Sequence, residues 1–228
     1  MMKGLFRRRQ GYTLVELVLA IAITALIAST ASTLISYALR MRTMSDAQTD
    51  MYLVSIRLHK AITTELTSTG NVCLYTKGPS TYTTVPVTER VMYLDSNVKS
   101  KTYGQVLLGN KSAASAKLLP MDGYFDSYDD VVVESLTFKV AGVLDYVNAD
   151  TSTPTELYRC VKVTTVVSKG AWRYEHTTAI RFDEMILYSS QVKVSTDTNT
   201  YVSTSSNIRD ARAGDTGTEF KLLRYTLE

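Results

Sequence analysis

An α+β fold, one long amino-terminal helix backed onto an antiparallel β-sheet, follows from three features of the sequence. Residues 12–39 form an apolar run broken by a single charge, and an amphipathic pattern of period 3.6 carries on to about residue 70. From residue 72 the hydrophobic period drops to two. The expected division is a basic leader at 1–11, a membrane-length helix at 12–39, its amphipathic continuation at 40–70, and a β-rich head at 71–228 carrying a long polar loop at 195–219.

The leader holds Lys3, Arg7, Arg8 and Arg9, four of the 25 basic residues, so the remaining 21 face 22 acidic ones. The body is therefore close to neutral and offers no general attraction to nucleic acid. From Tyr12 to Leu39 the only charge is Glu16. A helix of that length extends about 42 Å, against about 30 Å for a bilayer's hydrocarbon core. Cations ahead of such a span leave the amino terminus in the cytoplasm and send everything after Arg40 outward. A cleaved secretory signal fits poorly, because its apolar core is normally about 7 to 15 residues. A carboxylate inside a spanning helix costs about 2.5 to 3.5 kcal/mol at the centre, less near an end, so Glu16 calls for a partner or a function.

The run Gly11, Tyr12, Thr13, Leu14, Val15, Glu16 behind a short basic leader resembles the processing site of type IV prepilins and pseudopilins. The resemblance implies that a prepilin peptidase removes residues 1–11 by cutting between Gly11 and Tyr12 and methylates the new amine. Tyrosine stands where phenylalanine is usual in that family. It also implies a pilin-like fold and assembly with other pilins or pseudopilins in a helical filament, driven by an inner-membrane assembly platform. A freed amine at Tyr12 has an ordinary pKa of about 7.7 to 8.0 and is cationic near neutrality. Glu16 of a neighbouring subunit could then neutralise it where water is scarce, and because an unpartnered buried charge is penalised, the pair would select the axial stagger between subunits. The plain alternative is a single-pass anchor whose Glu16 snorkels to the interface. No glycine or proline interrupts the run through Leu39, and Thr24, Thr30 and Thr33 can bond back to helix carbonyls.

Beyond the span, Met44, Ala47, Met51, Val54, Leu58, Ile62 and Leu66 recur at spacings of three and four, one stripe expected to pack on the protein's own sheet, with a coiled coil to another chain as the alternative. Gly70 and Asn71 are the expected stop. Strands are expected at 72–76, 81–87, 89–94 and 103–108, around Leu136, Phe138 and Val140, and near Phe220, Leu222 and Leu223. The clearest hairpin pairs 157–167 with 172–182 across Ser168, Lys169 and Gly170.

Chemistry-bearing motifs are sparse. Cys73 and Cys160 are separated by 86 residues, far from a CxxC spacing. They are a candidate disulfide, worth roughly 4 to 5 kcal/mol in the chain-entropy model, or two unrelated buried thiols. His59 and His176 fall in no HExxH or nucleophile motif and read as structural. Gly104 to Ser112 fails as a phosphate loop, since Asn110 separates Gly109 from Lys111. Asp122, Asp126, Asp129 and Asp130 could supply oxygens to calcium, but their spacing is not that of an EF-hand, and turn aspartates commonly cap their own backbone. Tyr75, Tyr82, Tyr93 and Tyr103 suit a half-buried sheet, the alternative being rings on a tip surface that stack on DNA or glycans. The expected role is therefore structural rather than enzymatic and needs no cofactor: a minor pilin or minor pseudopilin, anchored in the cytoplasmic membrane before assembly and extracytoplasmic afterwards. The rivals are a major pilin, a non-polymerising surface adhesin or receptor, and an envelope enzyme with an unrecognised site.

Overall fold

In the computed structural model, helix α1 runs from Leu14 to Thr67, 54 residues. Among the described residues ten strands follow: β1 (Thr69–Tyr75), β2 (Glu89–Leu94), β3 (Val106–Gly109), β4 (Lys117–Leu119), β5 (Val131–Asp145), β6 (Thr155–Lys169), β7 (Trp172–Arg181), β8 (Val192–Ser195), β9 (Ile208–Asp210) and β10 (Leu222–Leu227). The structure describes residues 13–67, 69–76, 89–109, 117–120, 124–125, 128, 130–145, 155–182, 192–196 and 207–227. The chain divides into two compact units, Met1–Asp46 and Ala47–Glu228, with the boundary inside α1.

In the first unit, the apolar helix faces outward all round. Leu14, Val18, Ile21, Leu26, Ile35 and Leu39 are each more than half exposed. An 18-residue window of mean hydropathy 2.2 lies in α1 with none of it buried, long and apolar enough to cross a membrane.

In the second unit the stripe works as its spacing predicts. Ala47, Met51, Val54, Leu58, Ile62 and Leu66 are buried in the core, with Ser55 and His59 buried beside them. The core continues into Val72, Leu74, Met92, Phe138, Val163, Ile180 and Leu223 from both sheets. Glu65 ties the end of the helix to the sheet, accepting hydrogen bonds on Oε2 from Arg90 Nη1 and from the Tyr225 hydroxyl, both at 3.1 Å. Lys169 Nζ donates to Asp50 Oδ2 at 2.6 Å, a second tie from the sheet to the helix.

The described strands of the head form two sheets. The larger has the order β4-β3-β2-β10-β1-β8-β9, and the smaller is β5-β6-β7. The smaller sheet contains the expected hairpin, whose register pairs Val163 with Thr178 and Lys169 with Trp172. Its turn is tighter than expected, with Gly170 and Ala171 between the paired ends. Gly170 has φ +59°, as the first central residue of a type II′ turn requires. A second glycine, Gly104, has φ +73°, and a side chain there would meet Val132 Cβ at 2.8 Å. It lets the β2–β3 loop press on β5, where the Val133 N–H donates to Gly104 O at 2.9 Å.

Three expectations change. The helix ends three residues before Gly70, because Thr69 Oγ1 donates to Leu66 O at 2.8 Å and takes up a terminal carbonyl; Gly70 and Asn71 lie in β1. The sheet is not wholly antiparallel, since β8 pairs with β1 in parallel, Val72 with Val192 and Leu74 with Val194. The stretch 195–219, expected as one loop, contains β9 and a 3-10 turn at Ala213–Asp215. Asp215 organises that turn, accepting from Arg209 Nη1 and Nη2 at 2.8 and 2.7 Å and from the Arg212 N–H at 2.8 Å. The Arg209 pairing holds the Asp215 carboxyl below its ordinary range. The expected strand 81–87 lies outside the described residues.

Candidate assembly site

The first turn of α1 is closed by a capping box that the spacing Thr13-x-x-Glu16 encodes. The Glu16 N–H donates to Thr13 Oγ1 at 3.3 Å, while Glu16 Oε2 accepts from the Thr13 N–H at 2.9 Å and from its hydroxyl at 3.1 Å. Each residue thus satisfies a helix-terminal donor of the other, and the carboxylate sits at the positive end of the helix dipole. Oε2 alone makes these bonds. A carboxylate has about four acceptor sites, so capacity remains for a cation. Sequence reasoning singled out Glu16 for its charge and missed this box, although Ser/Thr followed three residues later by Glu ahead of an apolar run is its signature.

Further along the apolar helix the hydroxyls are satisfied internally. Thr24 Oγ1 donates to Ala20 O at 2.7 Å, Thr30 Oγ1 to Ile27 O at 2.9 Å, Thr33 Oγ1 to Thr30 O at 2.8 Å and Ser36 Oγ to Ser32 O at 2.9 Å. Such bonds are what a helix in hydrocarbon needs, where no water replaces a lost partner. Gly11 and Tyr12, the expected processing residues, lie outside the described residues.

Residues 6–32 match the family model of the prokaryotic N-terminal methylation motif. The motif marks this amino-terminal segment as type IV prepilin-like. The chain's α+β architecture, a long apolar amino-terminal helix with a mostly antiparallel head, is the pilin-like one. The motif supports processing by prepilin peptidase, and the apolar helix fits membrane anchoring before assembly. Comparison with curated proteins and with solved structures gives no match.

The other singled-out residues of this prepilin-like chain fall in separate places. Cys73 and Cys160 are free thiols in the structure, both buried. Cys73 lies on β1 of the larger sheet and Cys160 on β6 of the smaller one. Burial pushes both thiols above their ordinary pKa. Of the four aspartates, Asp130 is exposed with φ 61°, and Asp122, Asp126 and Asp129 lie outside the described residues. Tyr75 and Tyr93 are buried, Tyr103 is exposed, and Tyr82 lies outside the described residues.

The two histidines meet, which their positions in the sequence do not reveal. His59 on α1 places Nδ1 2.9 Å from Thr178 Oγ1 on β7 and Nε2 2.7 Å from Thr165 Oγ1 on β6. Its ring stands edge-on to His176 at 4.4 Å between centroids. Hydroxyls can donate or accept, so either neutral tautomer is satisfied. Burial, and then the charge of His176, lower the His59 pKa from 6.5 to about 4. The pair reads as a helix-to-sheet clamp.

Proposed function

We propose that the protein is a minor pilin or minor pseudopilin, a structural rather than catalytic subunit of an envelope-spanning filament. One observation carries the reading: the methylation motif at residues 6–32 runs directly into a helix whose apolar side chains are exposed. Cleavage after Gly11 frees the amine of Tyr12, which methylation leaves cationic. In the filament, Glu16 of an adjacent copy or relative neutralises that amine through the capacity its capping box leaves open. Before assembly the helix holds the subunit in the cytoplasmic membrane, amino terminus inward by the charge of Arg7, Arg8 and Arg9.

Lateral packing of these helices removes apolar surface from lipid without a hydrophobic drive, so van der Waals fit and the charge pair set the association. A head this large with a polar 195–219 segment sits more easily at few filament positions than at all of them, hence minor. Mass spectrometry of the protein from its native host tests the reading. The expected mature terminus is N-methylated Tyr12, and an intact Met1 would overturn it. Copy number in the same preparation separates a minor from a major subunit.

A further inference from the structure

The face of the larger sheet turned away from α1 carries an unusual row of residues. Strand pairing sets Lys193 on β8 beside Cys73 on β1, Cys73 beside Arg224 on β10, and Arg224 beside Val91 on β2. With strands about 4.8 Å apart, the two cations flank the thiol at about 10 Å between Cα atoms. Glu89, two residues from Val91 on the same face, brings Oε2 to 3.4 Å from Arg224 Nη1. The guanidinium also lies 5.7 Å from the centroid of the Tyr75 ring. Lys193, Cys73, Arg224 and Glu89, together with Asn71 and Thr226, line a cleft of about 260 Å³.

Charge and chemistry define what fits. Among the described residues that line the cleft, two cations stand against one carboxylate, and the Arg224 side chain is only 10% exposed, so its charge is poorly screened by water. Asp210 stands opposite Lys193 on β9 but lines no part of the cleft. Acceptors are present too, in Glu89, the Asn71 amide and the Thr226 hydroxyl. The volume falls below the range of drug-sized pockets, about 300 to 1,000 Å³, and suits a single small molecule or one residue of a polymer. The Cys73 thiol is kept protonated by burial, which argues for binding and against thiol chemistry.

We propose that this cleft binds a small carboxylate that also carries hydrogen-bond donors, of the size of one uronic-acid unit or one α-amino acid. The carboxylate sits between Lys193 and Arg224, and its hydroxyl or ammonium donors meet Glu89, Asn71 and Thr226. The inference does not depend on whether the chain polymerises.

The test is calorimetric titration of the full chain in detergent micelles with sodium D-glucuronate, L-alanine and D-glucose. One of the two carboxylates is expected to bind about tenfold or more tightly than neutral glucose, and Lys193→Gln to weaken it about tenfold. Glu89→Gln separates the sources: it weakens an ammonium-bearing ligand and leaves or strengthens a sugar acid. Arg224→Gln should abolish binding, and because that side chain is buried, Lys193→Gln decides if the variant does not fold. Equal response to all three compounds, no heat with either carboxylate, or unchanged binding in Lys193→Gln overturns the proposal.

Discussion

Leu26 and Leu58 sit on the same helix, one 66% and the other 0% exposed. Composition separates the two regions they represent only in part: both contain leucine, isoleucine, alanine and threonine, but the first carries one charged residue, Glu16, and the second four, Asp50, Arg57, Lys60 and Glu65. Pattern completes the distinction. Residues 14–39 are apolar around the whole circumference, whereas residues 47–66 are apolar along one stripe and polar elsewhere. A stripe can be covered by one sheet, and the chain supplies that sheet. A fully apolar surface needs cover on every side, which lipid or a ring of neighbouring helices can give. The lesson is that the head completes itself and the amino-terminal half does not.

The largest expected effect falls on the incomplete half. Glu16→Gln keeps a side chain able to close the capping box but removes the charge, and filaments sheared from the native host should be lost from immunoblots. Equal yields would break the contrast, because Glu16 would then serve only its own helix.

Next comes packing. Leu58→Ala should lower the stability of the full chain in micelles by about 2 to 5 kcal/mol in denaturant melts, while Leu26→Ala should stay within about 0.5 kcal/mol. Similar losses at the two positions would mean that both halves are packed within one chain.

An effect of about 3 kcal/mol is expected from pH. His59 is neutral in the fold, with its pKa at about 4 against 6.5 when unfolded. The unfolded chain therefore binds the proton first, and stability present above pH 6.5 falls as pH drops through 6.5 towards 4, by at most about 3 kcal/mol. Denaturant melts of the full chain across that window measure it, and His59→Gln should flatten the decline. The smallest effect is Thr13→Ala, which opens the capping box while keeping the Glu16 charge. It should cost about 1 kcal/mol of helix stability, read as faster amide exchange in the first turn, with filament yield reduced less than in Glu16→Gln.

Much of this organisation was legible before any coordinates. The apolar run, its amphipathic continuation and the hairpin around Gly170 are local patterns, each carried by residues close in sequence. The same holds for the back-bonding hydroxyls of Thr24, Thr30 and Thr33. Thr13 and Glu16 were equally local, and their mutual capping went unnoticed only because the carboxylate drew attention as a charge. What stayed hidden involves distant partners. His59 and His176 come together because α1 crosses the hairpin at that height. Lys193, Cys73 and Arg224 form a row because β8 enters beside β1 in parallel, and nothing near residue 192 announces that neighbour.

By itself the sequence determined where the helix starts, which of its faces seek cover, and that the chain carries a prepilin-type motif, because spacing along a helix and charge ahead of an apolar span act within a few residues. Tertiary structure alone decided which strands are neighbours, and hence that two histidines clamp helix to sheet and two cations flank a thiol in a cleft. Strand pairing is set by the joint burial of both faces, a sum over the whole head that no single segment contains.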